Sequence, residues 1–329
     1  MDNIIEKNEI LHALSAQELA MLEQYLYEIS YQKKEIILKQ GSRGGDLYIL
    51  RKGRAQVMVS LPGDNMKLAT TLTPGTVFGE VAFLTEAPIT ATIVAEEAVT
   101  CAVLKKEILQ MLRIAAPLVA FKIEKAIALQ AADKIITSLE RARAFLKNLP
   151  EEVGLNSNQA HFWVNPKAKK KAIKVELIDS QVLANMQCFR GFSPEERAIV
   201  LSKMKAFCYD KGYYITPSHV QAGLMSLICS GATMLFLKDE EKLIKSIAVC
   251  GIGQLFFEDS RFSEVAHYVS CEECVILEIS LDAYEQLSLT HPKLFYAFSQ
   301  FVHSEIVAAL YIVNRQFVRI NTEYRDLLS

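Results

Sequence analysis

Leucines at 19, 22 and 26 recur at helical spacing. Ser15 and Glu18 ahead of them have the form of a capping box, so a helix is predicted to start there. From Tyr31 the period changes. Short apolar, β-branched runs at 35–40, 47–50, 56–60 and 67–72 are separated by Gly41, Gly53 and the turn Pro62-Gly63-Asp64-Asn65, and 90–94 and 99–104 read the same way. Strands this short and this regularly spaced predict a sandwich or jelly roll. The period then returns to helical. Ile123, Ile127, Ala131, Ile135, Leu139, Ala142 and Leu146 predict one long helix from about Leu118.

The pattern repeats. At a shift of 178 places Ser15 falls on Ser193, Glu18 on Glu196, Tyr31 on Tyr209, Gly53 on Gly231, Gly75 on Gly253 and Glu80 on Glu258. Further on, 95–99 meets 271–275 at a shift of 176, which sets Cys271 and Cys274 on Ala95 and Ala98 as small strand residues. Residues 181–290 thus read as a second copy. The expected organisation is a first domain at 1–117, a connecting helix at 118–148, a basic linker at 149–180, a second domain at 181–300 and a C-terminal helix at 301–329. Residues 291–329 read as one or two helices, with Phe295, Phe298, Phe301, Val302, Ile306 and Leu310 as an apolar face. Lys167, Lys169, Lys170, Lys171 and Lys174 in the linker read as a solvated loop.

Between Pro74-Gly75 and Thr92 lies a stretch that the strand pattern does not explain. A turn leads to Gly79, which permits close approach to backbone. Residues 80–85 can form one helical turn with free amides, beside a carboxylate, Glu80. Phe78-Gly79-Glu80-Val81-Ala82 followed by Pro88 and Thr90-Ala91-Thr92 resembles the phosphate-binding cassette of the cyclic nucleotide-binding domain family. The resemblance implies tandem jelly-roll domains of mainly β class with flanking helices, as in catabolite activators and protein kinase regulatory subunits. It implies a ligand, cAMP or cGMP, at Gly79, Glu80, Val81, Ala82, Thr90 and Ala91. Glu80 would take the ribose hydroxyl, the Gly79 and Ala82 amides the phosphate, and Thr90 would sit beside it. The family's Arg after the Pro is Ile89 here. Losing a bidentate, charge-assisted pair removes ~1.5–3 kcal/mol, so another cation is needed for a phosphate, with Arg43, Arg51, Lys52 and Arg54 as candidates. In the second copy Phe257 replaces Gly79, no Pro-led return follows, and a structural or partner-binding role is expected.

Composition narrows the rest. The 329 residues are 51% hydrophobic with a formal charge of −2, which supports packed cores and gives no global signal for nucleic acid. No apolar run reaches the roughly 18 residues of a membrane span, and the first residues show no leader pattern. Seven cysteines fit a reducing compartment, so a cytoplasmic location is expected. No P-loop, nucleophile elbow, paired-carboxylate set or metal-ligand spacing is visible, so a non-catalytic regulator that requires no cofactor or metal is expected. A protein partner or homo-oligomer is expected with it. The rival readings are a ligand-free scaffold, a kinase-regulatory-subunit-like protein and a DNA-associated regulator.

Overall fold

The computed structural model describes residues 12–60, 66–148, 164–215, 224–240, 242–258 and 260–325. Trp163 and the rest of 149–163 lie outside the described residues. The chain divides into two compact units, Met1–Ala132 and Asp133–Ser329.

In the first unit, helix α1 (Ala16–Glu23) starts at the predicted capping box, with Ser15 N donating to Glu18 Oε2 at 2.7 Å and Glu18 N to Ser15 Oγ at 3.3 Å. Eight strands follow: β1 (Tyr27–Tyr31), β2 (Ile36–Leu38), β3 (Leu47–Lys52), β4 (Ala55–Ser60), β5 (Met66–Leu72), β6 (Val77–Phe78), β7 (Thr92–Ala95) and β8 (Val99–Leu104). Helix α2 (Glu80–Leu84) interrupts them, α3 (Lys106–Ala115) follows, and α4 (Pro117–Lys147) begins in this unit and continues past Ala132 into the second. The sheets run β1-β8-β3-β6 and β2-β7-β4-β5, every pairing antiparallel. Leu50, Cys101 and Val103 from one sheet meet Leu38, Ala55 and Ile93 from the other in a common core. Against this core the start of α4 is held by two ion pairs. Arg113 Nε donates to the buried Glu124 at 2.7 Å, and Lys122 Nζ donates to both oxygens of Glu18 at 2.9 and 2.7 Å.

The second unit contains β9 (Lys170–Ile173), α5 (Ser180–Asn185), α6 (Pro194–Leu201), β10 (Lys205–Tyr209), β11 (Tyr214–Ile215), β12 (Leu224–Ser230), β13 (Thr233–Asp239), β14 (Lys242–Cys250) and β15 (Leu255–Glu258). It ends with α7 (Ser260–Val265), β16 (Ala266–Ser270), β17 (Cys274–Ser280), α8 (Leu281–Thr290) and α9 (Pro292–Arg325). Its sheets run β15-β12-β17-β10-β9 and β11-β16-β13-β14. Apart from β9, this is the strand order of the first unit, so the repeat is a repeat of topology. Details recur with it. The ladder bulge at Leu50/Lys52 returns at Ile228/Ser230. Gly53 and Gly231 both have positive φ, and a Cβ on either would lie 2.2 or 2.4 Å from a carbonyl oxygen, of Ala98 or Glu273. Both capping boxes form.

Two sequence expectations change. The returning strands pair Tyr31 with Val99 but Tyr209 with Cys274, a shift of 175 and not 176. Matching the Glu-Glu pairs at 96–97 and 272–273 misled the alignment by one place, and one place reverses which side chains face inward. Cys274 therefore replaces the buried Val99 and is itself buried, while Cys271 replaces Glu96 at a turn. Second, part of the supposed linker is sheet. β9 pairs with β10, and Lys170 Nζ donates to both oxygens of the buried Glu278 at 2.7 and 2.9 Å while lying 3.9 Å from the centre of the Phe207 ring. Tyr209 also donates to Glu278. The lysines look like a loop in sequence because an edge strand needs only one inward partner to seat it. The helical tail expected from 291 onward is a single helix from Pro292 to Arg325, since Pro suits a first helical turn. α9 has the length and composition of a membrane-crossing helix. Its Phe295, Phe298, Phe301, Val302 and Leu310 are buried, so this apolarity serves packing within the unit.

Two predictions follow from this packing. Lys170→Ala should leave Glu278 buried without its cation and cost the second unit about 2–4 kcal/mol in urea unfolding; the double change Lys170→Met with Glu278→Gln should cost less. His267 is buried against the Tyr214 ring at 4.5 Å, and desolvation, with the Lys238 charge adding, pulls its pKa down to about 4. The unfolded chain takes up this proton first as pH falls below about 6.5, so unfolding free energy should drop between pH 6.5 and 4. The drop should be smaller in His267→Gln.

Candidate functional site

Residues 79–92 form a compact turn of structure between β6 and β7. β6 ends because Gly79 takes φ 85°, a left-handed conformation that lets α2 begin at Glu80. A Cβ at residue 79 would lie 2.7 Å from the Asp46 carbonyl oxygen, so only glycine fits. α2 is one short helical turn with all five residues buried, Glu80 among them at 9% exposure. Phe83 N returns to Gly79 O at 3.0 Å, leaving the amides of the first turn to face away from the helix. Gly79 caps α2, and Glu80, Val81 and Ala82 are its first three residues. Ala91 is buried and Thr90 half-buried in the extended return, ahead of Thr92, whose Oγ1 accepts Gln40 N at 3.1 Å.

The other end of α2 carries a residue that the sequence reading missed. Lys106 Nζ donates to Ala82 O at 3.2 Å and Thr85 O at 2.9 Å, and lies 3.4 Å from Glu86 Oε1. A cation at carbonyls of a helix C-terminus is the favourable polarity. The Lys106 amide donates to Asp46 Oδ1 at 3.2 Å, and Tyr27 OH reaches Asp46 Oδ2 at 3.5 Å. Burial and the Asp46 charge raise the Tyr27 pKa, so this hydroxyl keeps its proton. Lys106 is also the first residue of α3, so one side chain links the cassette to the helix pair beyond the sheets. Its only signal in sequence is a position just past a strand, where lysine is ordinary.

Ile89 follows Pro88, where the cassette that this stretch resembles carries an arginine. It is buried, in one cluster with Leu38, Phe78, Ala82 and Ile93. Its amide donates to Ser42 O at 3.0 Å and its carbonyl accepts Gly41 N at 2.9 Å, which lays the 41–45 loop across it. Of the four candidate replacement cations, Arg54 pairs with Glu96 and Glu97 at 3.4 and 3.6 Å, and Arg51 with Glu28 at 3.5 Å. Lys52 is exposed at the β3 bulge, and Arg43 is exposed on the 41–45 loop.

The second unit differs where it matters. Its β15 continues through Phe257 and Glu258, paired with Met225 and Leu224, where β6 has already stopped. Phe cannot take the conformation of Gly79 without strain, so strand replaces cap. The side chains of Phe257 and Glu258 lie outside the described residues. No group of three or more His, Cys, Asp and Glu side chains suited to a metal occurs among the described residues.

Residues 28–114 match the family model described as cyclic nucleotide-binding domain. The chain is 30% identical over 150 residues to the human cGMP-dependent protein kinase 2, covering 45% of this chain and 17% of the kinase. It is 33% identical over 95 residues to the cAMP-dependent protein kinase regulatory subunit of Dictyostelium discoideum, covering 28% of this chain and 29% of that protein. These matches span less than a third of either relative. Among solved structures, the regulatory domain of Toxoplasma gondii PKA crystallised with cAMP aligns over 89% of this chain and 91% of that one, at 13% identity and a TM-score of 0.32.

Gly79→Ala should destabilise the first unit by about 2 kcal/mol or more, from the left-handed backbone together with the contact on Asp46. Hydrogen exchange should show faster opening at 77–85, with the second unit's amides unchanged.

Proposed function

We propose that the cyclic nucleotide-binding domain at residues 28–114 serves as a non-catalytic regulatory module with its ligand seated at α2. The observation that carries this is the combination of Gly79 at φ 85° with a buried Glu80 at the head of a helical turn whose first amides have no partner within the helix. The ligand class is ribose-bearing, the class of cAMP and cGMP, which appear in the names of the relatives. Glu80 accepts a sugar hydroxyl, the Gly79 to Ala82 backbone faces the adjoining atoms, and Thr90 and Ala91 border them. Occupancy shifts the carbonyls at Ala82 and Thr85. Lys106 carries that shift to α3, and the Arg113–Glu124 pair carries it to α4. Regulation is then a bias between two arrangements of these helices, read by a protein partner or a second copy of the chain.

The burial of Ile89 favours one alternative, a ligand-free interaction module whose cassette persists for packing. A nucleic-acid role has less support. Lys170, in the middle of the lysine run, is engaged by Glu278 within a sheet.

Thermal unfolding with added nucleotides and nucleosides, run beside Glu80→Ala, separates these readings. A ligand present at 100 times its dissociation constant stabilises by about 2.7 kcal/mol. The proposal expects a rise in melting temperature that Glu80→Ala removes. No rise with any of these ligands at millimolar concentration supports the ligand-free module.

A further inference from the structure

We propose that the first unit takes an uncharged ribonucleoside in preference to the corresponding cyclic phosphate, with Ile89 as the residue that sets this preference. The inference rests on the reading of the α2 site given above. The side chain at 89 is an aliphatic group within the apolar cluster formed with Leu38, Phe78, Ala82 and Ile93. The 41–45 loop lies against it. A Cβ at Gly44 would stand 3.0 Å from Ile89 Cδ1, and the loop's main chain is bonded to residue 89 on both sides. An anion brought to this corner loses water and meets methyl groups.

The charges nearby make the anion less welcome still. Asp46 is a carboxylate of the loop ahead of β3, and Glu86 stands at the far end of α2. Lys106, the cation in contact with α2, spends its ammonium on the Ala82 and Thr85 carbonyls and on Glu86. Arg51 and Arg54 face carboxylates elsewhere on the β-roll. Arg43 is exposed on the 41–45 loop, whose Gly44 lies next to the Ile89 side chain. A ribose hydroxyl, by contrast, needs only an acceptor, and Glu80 provides one. The site therefore keeps the group that recognises the sugar and lacks the group that recognises the phosphate. Specificity here comes from an unpaired charge on the disfavoured ligand.

The test is calorimetric titration of the full chain with adenosine, guanosine, cAMP and cGMP, on the wild type and on Ile89→Arg, Arg43→Gln and Glu80→Ala. The wild type should bind at least one nucleoside tighter than its cyclic phosphate by roughly tenfold or more, the worth of one charged hydrogen bond. Ile89→Arg should narrow or reverse that order. The wild-type order stands as evidence by itself if Ile89→Arg does not fold. A cyclic nucleotide bound as tightly as its nucleoside overturns the inference while leaving the site intact; loss of that binding in Arg43→Gln would then assign the phosphate to Arg43. Binding of nothing, or binding that Glu80→Ala leaves unchanged, overturns the reading of the site and this inference with it.

Discussion

The left-handed backbone at Gly79 is the constraint on which the first unit's distinctive region depends. Where the chain can take φ 85°, strand β6 stops after two residues and a buried helical turn follows. Where it cannot, at Phe257, the equivalent strand runs on to Glu258 and the helix starts later. The two units share strand order, the β3-type bulge and the Gly53/Gly231 turn, so the difference is local to the cassette, where glycine's steric freedom is lost and the return to the next strand is shorter. The Asp46 carbonyl, which would meet any side chain at 79, lies on the segment whose carboxylate also receives the Lys106 amide. One close approach thereby fixes the cassette, the loop before β3 and the start of α3 relative to each other.

Around that constraint the polar groups are arranged to hold backbone. Lys106 satisfies carbonyls at the end of α2, Thr92 satisfies the Gln40 amide, and Arg113 neutralises a buried Glu124. Such contacts are costly to break singly because each removal leaves a buried group without its partner. They make the passage from α2 to α4 stiff, and stiffness is what a small displacement at a ligand site requires if it is to move a helix. In the second unit the corresponding helices are joined by a hydroxyl pair, Tyr284 to Ser299, in place of the ion pair. There the reinforcement sits instead at the sheet edge, in Lys170, Glu278 and Tyr209.

Much of the architecture was legible in the sequence, because it is written in local signals. Both capping boxes, the long helix after Pro117 and the repeat itself follow from spacing alone. The cassette residues Gly79 to Ala82 were legible as a group because a turn, a glycine and a carboxylate stand together. What was not legible depended on contacts between distant positions. Lys106 gives no sign that its ammonium reaches back to Ala82. The strand at 170–173 shows four residues with little apolar pattern, since its seat is an ion pair and a ring. The 175-place register was hidden by a chance match of Glu-Glu pairs; the ladder from Tyr209 to Cys274 reveals it, as does the approach of Gly231 to the Glu273 carbonyl where Gly53 approaches that of Ala98.

The account's central claim is that α2 is a ligand seat coupled through Lys106 to the helices beyond it. Hydrogen exchange of the full chain, with and without saturating guanosine and cGMP in parallel, tests this most directly. The account predicts slower exchange at the amides of 79–85 together with a change across 106–124, and in Lys106→Met the first effect without the second. Slowing confined to the second unit, or at 106–124 with none at 79–85, would contradict it.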